Sequence, residues 1–147
     1  MKAPSFSLKD QNNNTVKLVD FKGKKLVLYC YPKADTPGCT VQACGIRDNI
    51  AEIKKLGAVV VGLSPDEPSK LKKFEEKYHL NFTLIGDPSH DILKKLGVWK
   101  KKSFMGREYM GVARTTFLID EKGSIIKTYP DVNPATHAHT IIKDLSS

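Results

Sequence analysis

Cysteines stand at positions 30, 39 and 44 of a 147-residue chain, and one of them sits where chain geometry favours a thiolate. Cys39 closes the string Tyr31-Pro32-Lys33-Ala34-Asp35-Thr36-Pro37-Gly38-Cys39, at which an apolar stretch has stopped and a helical pattern is beginning. Thr36 is a residue type that caps helices, and Pro37 suits a first helical turn. Cys39 then falls among unpaired N–H groups at the positive end of the helix dipole. A free thiol of pKa about 8.5 is only about 3% ionised at neutral pH, whereas a shift to about 6 would make it about 90% ionised. That shift needs about 3.4 kcal/mol, and one helix terminus contributes at most about 2 kcal/mol. A cation must supply the rest, and the arginines of the chain are Arg47, Arg107 and Arg114.

Cys44 follows Cys39 by five positions. On an intact helix their Cα atoms would lie about 8–9 Å apart with side chains about 140° away from each other. A disulfide wants Cα atoms within about 7 Å, so bonding would unwind the first turns of the helix. The spacing alone leaves two readings: a redox pair whose chemistry is also a conformational cycle, or a turn cysteine beside a small buried hydrophobe. Cys30 lies inside the apolar string KLVLYCY and reads as an inert core thiol.

The elements that must position these residues follow from periodicity. Ser5 to Leu8 and Thr15 to Leu18 flank the polar turn Asp10 to Asn14, as in an N-terminal hairpin. Lys25 to Tyr31, Ala58 to Leu63 and Phe82 to Ile85 read as strands. Between and after them, helical spacing runs over Thr40 to Leu56, Ser69 to Tyr78 and Ser89 to Leu96, with Gly57 and Gly97 as stop signals. Trp99 to Met110 reads as a loop in which Trp99, Phe104, Met105, Tyr109 and Met110 make an apolar patch around a solvated Lys100 to Lys102 cluster. Thr115 to Ile119 and Ser124 to Tyr129 flank a turn at Asp120 to Gly123, and Ala135 to Leu145 supplies a last helix. The expectation is one α/β domain over 1–147, a central mixed sheet with helices on both faces.

Composition narrows the function classes. The net charge of +8 raises a polyanionic partner, but the lysines are scattered and no arginine–aromatic alternation suits a stacking platform. A basic nucleic-acid-binding or redox-sensing module, its cysteines not turning over, is the alternative reading. The apolar runs Leu26 to Tyr31 and Ala58 to Leu63 are far short of the roughly 20 residues that span a bilayer. The start, MKAPSFSLKDQNNN, lacks the apolar core of a secretory signal, so a cytoplasmic protein is expected, where disulfides are transient or catalytic. Cys39 and Cys44 do not form the Cys-x-x-Cys of a disulfide reductase. With His137 and His139, read as solvated, they do not complete a zinc-ligand spacing. No Walker loop or G-x-G-x-x-G string occurs.

The pattern Pro32-x-x-x-Thr36-x-x-Cys39 resembles the active-site signature of the peroxiredoxins. The string YPKADTPGCTVQACGIRD, with APSFSLKDQ, VVVGLSPD, KFEEKYHLNFTLIGD and YMGVARTTFLID, resembles the bacterioferritin comigratory protein or peroxiredoxin Q subfamily over nearly the whole chain. The resemblance implies a thioredoxin-like fold and reduction of hydrogen peroxide and organic hydroperoxides. It makes Cys39 the peroxidatic cysteine, oxidised to a sulfenic acid, and Cys44 the resolving cysteine of an intrachain disulfide that thioredoxin reduces. Thr36 would contact thiolate and peroxide, Pro32 would shield the site, and Arg114 would be the required cation. The chemistry so implied needs neither metal nor cofactor, and family members are often monomers. Cys30 stands where the subfamily commonly has an aromatic residue, so it is also a possible off-pathway partner.

Overall fold

The computed structural model describes residues 2–146. The expected strands and helices form, most of them within three residues of the expected bounds. An N-terminal hairpin, β1 (Ser7–Asp10) and β2 (Thr15–Lys17), is followed by β3 (Lys25–Cys30), α1 (Pro37–Lys55), β4 (Ala58–Ser64), α2 (Pro68–Tyr78), β5 (Thr83–Gly86) and α3 (Asp91–Lys95). Then come β6 (Trp99–Phe104), β7 (Arg107–Val112), β8 (Thr115–Ile119), β9 (Ile125–Tyr129) and α4 (His137–Leu145). Seven strands pair in the order β2-β1-β5-β4-β3-β8-β9. The central trio β3, β4 and β5 is parallel, while β1 joins β5, and β8 joins β3, antiparallel. The sheet is therefore mixed. No helix among the described residues is long and apolar enough to cross a membrane.

β3 shows why both faces of the sheet are covered. Its side chains alternate, as a pleated strand requires, and all but Lys25 are buried. Val27 and Tyr29, with Tyr31 beyond the strand, enter one core with Ile46, Ile50 and Ile53 of α1, Leu71 and Phe74 of α2, and Ile141 and Leu145 of α4. Leu26, Leu28 and Cys30 enter the other, with Ile92 and Leu93 of α3, Phe6, Val98 just before β6, and Val112 at the end of β7. α1 buries Cys39, Gln42, Ala43, Ile46, Ile50 and Ile53, a spacing of three and four that is one face of a helix. It stops where Gly57 takes φ +82°, a conformation glycine adopts without steric cost.

Two expectations change. α3 is shorter than Ser89 to Leu96 because His90 takes φ +68°, which a right-handed helix cannot run through; the Asp87 carboxylate instead receives the N–H groups of Ile92 and Leu93 at 2.9 Å each. Trp99 to Met110, expected as a loop, lies in an antiparallel hairpin, β6 with β7, separate from the main sheet. Its strands are mostly exposed on both faces, so no apolar alternation marked them.

Candidate active site

The loop that leads to Cys39 is strapped before it reaches α1. β3 runs out at Cys30, and the Tyr31 N–H still donates to Leu63 O at 3.0 Å. Pro32 follows, half-buried. The Ala34 N–H donates to Asp66 Oδ2 at 2.8 Å, and that carboxylate is held in turn by the Ser64 hydroxyl at 2.8 Å. Asp35, at φ +60°, accepts from the Tyr78 hydroxyl at 2.6 Å and Lys77 Nζ at 2.9 Å. Those two donors, Tyr78 first, hold its carboxyl below the usual range. One side of the loop is thus tied to the end of β4 and the other to α2.

Thr36 caps α1 by backbone, not by side chain. Its extended φ and ψ (−100°, 156°) turn the chain into the helix, and its carbonyl accepts the Thr40 N–H at 2.8 Å. The hydroxyl donates to Lys33 O at 2.8 Å and makes no cap hydrogen bond. The side-chain cap expected from the residue type is therefore corrected: the loop carbonyl takes the hydroxyl, and the first N–H groups of α1 are not consumed by it. Pro37 stands at the helix start, which makes Cys39 the third helical residue.

Cys39 is 1% exposed, and Arg114 Nη2 donates to its sulfur at 3.4 Å. Arg114 arrives from the two-residue link between β7 and β8, fixed by its own carbonyl, which accepts the Val132 N–H at 3.1 Å. Gly38 eases this approach: a Cβ there would lie 3.1 Å from Arg114 Nη2, so the guanidinium would have to shift by a few tenths of an ångström. The second guanidinium nitrogen, Nη1, donates to Gln42 Oε1 at 2.6 Å. The other arginines serve elsewhere. Arg47 binds Tyr78 O at 2.6 Å and Asp48 at 2.9 Å, and Arg107 opens β7.

The remaining cysteines occupy different surroundings. Cys44 is half-buried on the intact α1, less enclosed than the small buried hydrophobe of the second reading, and both it and Cys39 are free thiols. Cys30 is fully enclosed, and burial pushes its thiol well up. It belongs to the core on the far side of the sheet from Cys39. Of the expected lysine cluster, Lys100 and Lys101 are exposed, and Lys101 pairs with Glu108 at 2.6 Å. Lys102 departs from the expectation: it is half-buried, and burial first, then the nearby Arg114, hold its ammonium below the usual lysine value.

His137 is the largest departure. Expected at the surface as the start of the last helix, it is 2% exposed. Its Nδ1 meets Gln42 Nε2 at 3.2 Å and its Nε2 meets Thr116 Oγ1 at 2.8 Å. His139 is exposed, as expected. Neither Gln42 nor His137 carried a signal in the sequence beyond Gln42 falling three residues after Cys39, hence on its helix face. Burial, then the charge of Arg114, push the His137 pKa from 6.5 down to about 4.

That shift sets an acid dependence of stability. Between the two values the unfolded chain binds a proton that the native chain does not, so the stabilisation is complete above about pH 6.5 and is lost as pH falls through about 4, by about 3 kcal/mol in total. Urea midpoints measured at pH 7 and pH 4.5 should therefore differ more for the parent than for His137→Asn. Equal differences would remove His137 as the cause.

The geometry places a buried sulfur at a helix N-terminus beside a cation that is itself held by an amide, an arrangement able to keep a sulfur anion and present it to an electrophile. Known proteins carry the same chain architecture. The model of the AhpC/TSA family matches residues 1–128. Peroxiredoxin Bcp of Escherichia coli strain K12 is 50% identical over 140 residues, covering 95% of this chain and 90% of that protein. Peroxiredoxin Bcp of Bacillus subtilis strain 168 is 47% identical over 148 residues, covering 99% and 94%. A solved structure of the Xanthomonas campestris bacterioferritin comigratory protein, described for its alkyl peroxide reduction activity, superposes with a TM-score of 0.90 at 28% identity, over 96% of this chain and 90% of that one. Matches of this extent, together with the thioredoxin-like sheet, assign the chain to the AhpC/TSA family as a peroxiredoxin of the bacterioferritin comigratory type, a thiol-dependent peroxidase.

Proposed function

We propose that Cys39 is the peroxidatic cysteine, that Cys44 resolves it within the same chain, and that a thioredoxin dithiol completes the cycle. The observation that carries this reading is the Arg114 Nη2 contact at 3.4 Å to a sulfur at the N-terminal turn of α1. The Cys39 thiolate attacks the distal oxygen of a hydroperoxide, an S–O bond forms as the O–O bond breaks, and the leaving oxygen takes a proton to become water or an alcohol. Two positive features face the charge as it moves from sulfur to oxygen: the Arg114 guanidinium and the free N–H groups of the first helical turn. Thr36 spends its hydroxyl hydrogen on Lys33 O and so offers lone pairs to the peroxide O–H. Pro32 closes the loop side of the site against water.

The product is a Cys39 sulfenic acid. Cys44 thiolate attacks that sulfur, an S–S bond forms, and hydroxide leaves to become water. The two residues are five positions apart on an intact helix, so this step unwinds the first turns of α1. Exchange with a thioredoxin dithiol returns two electrons and restores both thiols. A disulfide within one chain needs no second subunit, which favours a monomer, and thioredoxin dependence favours the cytoplasm. Hydrogen peroxide and organic hydroperoxides are both substrates in this reading; the alkyl peroxide reduction described for the Xanthomonas campestris protein supports the second.

Cys44→Ser tests the cycle apart from the first step. Mixed with one equivalent of hydrogen peroxide, the variant should consume it in a single turnover within about twofold of the parent rate, give no Cys39–Cys44 peptide by mass mapping, and lose at least about tenfold in thioredoxin-driven steady-state turnover. Undiminished turnover with thioredoxin would defeat the intrachain-disulfide mechanism.

A further inference from the structure

We propose that His137 is a positioning residue of the peroxidatic site, which acts through Gln42 to hold the Arg114 guanidinium against the Cys39 sulfur; the inference rests on the reading of Cys39 as the nucleophile. Its basis is a continuous chain of polar contacts across three parts of the fold. It runs from Cys39 and Gln42 on α1, through Arg114 and Thr116 at the start of β8, to His137 at the first position of α4.

Every hydrogen in the chain has a fixed direction. A guanidinium has donors only, so the Gln42 atom 2.6 Å from Nη1 is its carbonyl oxygen. The amide nitrogen then faces His137 Nδ1 at 3.2 Å and must donate. Nδ1 is therefore an acceptor, the imidazole proton resides on Nε2, and it is donated to Thr116 Oγ1 at 2.8 Å. A charged imidazolium would carry N–H at both nitrogens and would force Gln42 to turn its oxygen away from Arg114. Burial and the Arg114 charge oppose that state. The groups facing the ring are Gln42 from α1, Thr116 from β8, the Arg114 charge beside that strand, and the Tyr29 ring of β3 at 5.7 Å between centroids.

The consequence concerns aim. Without a second partner, the terminal amide of Gln42 would be held only by its one bond to Arg114 and could swing about it. An acceptor at the Nδ1 position removes that freedom, because only one orientation satisfies both neighbours in a buried site where an unpaired polar atom costs about 1–3 kcal/mol. The fork of Arg114 is thereby oriented with one nitrogen on Gln42 and the other on sulfur.

Substitutions at His137 separate aim from packing. Asparagine places an amide oxygen near the Nδ1 position and keeps the acceptor for Gln42; glutamine reaches toward Thr116 and loses that acceptor; leucine loses both. In full-length protein whose fold is checked by near-ultraviolet circular dichroism, two readouts are followed: kcat/KM for hydrogen peroxide, and the pH profile of Cys39 alkylation by iodoacetamide, assigned by peptide mass. His137→Gln and His137→Leu should lower kcat/KM by about tenfold or more and move the Cys39 profile toward higher pH, whereas His137→Asn should stay nearer the parent on both. Folded glutamine and leucine variants that keep both readouts within about twofold of the parent would overturn the proposal, as would an asparagine variant no better than leucine. A third measurement needs no variant: in nitrogen-15 histidine spectra of the parent at pH 7, His137 should be the Nε2–H tautomer, and an Nδ1–H tautomer would overturn the chain of donors. Alkylation does not involve peroxide. A shifted alkylation profile in a protein that fails to reduce peroxide would thus sink the peroxidase cycle and leave the positioning role standing.

Discussion

Replacing Cys39 with serine is expected to lower kcat/KM for hydrogen peroxide by more than about 10⁴-fold, equivalent to about 5.5 kcal/mol of transition-state stabilisation. The substitution is nearly isosteric at a position 1% exposed, and the hydroxyl can keep the Arg114 contact, so the fold and the cation stay in place. What is lost is the proposed nucleophile: a polarisable thiol sulfur is replaced by a hydroxyl oxygen, a far weaker nucleophile toward peroxide. Stopped-flow loss of peroxide, run beside the parent, reads the effect directly. Cys30 cannot compensate, since burial raises its thiol and the sheet separates it from Arg114. If the variant kept a rate within about tenfold of the parent, another thiol would be the nucleophile, and half-buried Cys44 is the one to examine.

Arg114 carries the second large effect. At 3.4 Å, with an effective dielectric constant of about 20, a full positive charge and a sulfur anion attract by about 5 kcal/mol before desolvation is counted. Loss of one preorganised donor at a site of developing negative charge costs about 10²–10³ in rate. Arg114→Leu is therefore expected to reduce kcat/KM by about 10²–10³. Arg114→Lys should fall between leucine and the parent, because an ammonium keeps the charge but cannot span both Sγ and Gln42 Oε1 as the planar fork does. Pre-steady-state rates with hydrogen peroxide check the order. A lysine variant equal to the parent would mean that charge alone suffices and that the Gln42 contact is incidental.

The order in which these residues became visible has a physical cause. Cys39 and Thr36 are legible because their chemistry is local: strand end, turn, proline and helix start lie within nine consecutive residues. Arg114 is separated from Cys39 by 75 positions, so its partnership came from resemblance to a family motif and is then met in the geometry. Gln42 and His137 are 95 positions apart, and nothing in the string around His137 distinguishes a buried histidine from a solvated one. At Thr36 the residue type indicated a cap, but the competing acceptor, Lys33 O, exists only once the loop has folded. The β6–β7 hairpin stayed hidden for the opposite reason. WKKKSF and REYMGV pair mainly with each other and do not bury one face on the core, so the period of two that betrays a strand is absent.

The alternation of β3 between two cores gives the chain a graded set of thiols. Cys44 is partly reachable from solvent in the intact helix, Cys39 lies 1% exposed at the helix start where a small loop movement uncovers it, and Cys30, at the centre of the sheet, is uncovered only when β3 parts from β4 and β8. These correspond to three levels of opening, from surface access through local loop movement to loss of the whole sheet. The native cysteines thus form a built-in ruler: the labelling of Cys39 reports local opening at the start of α1, and that of Cys30 reports the global stability against which that opening is measured.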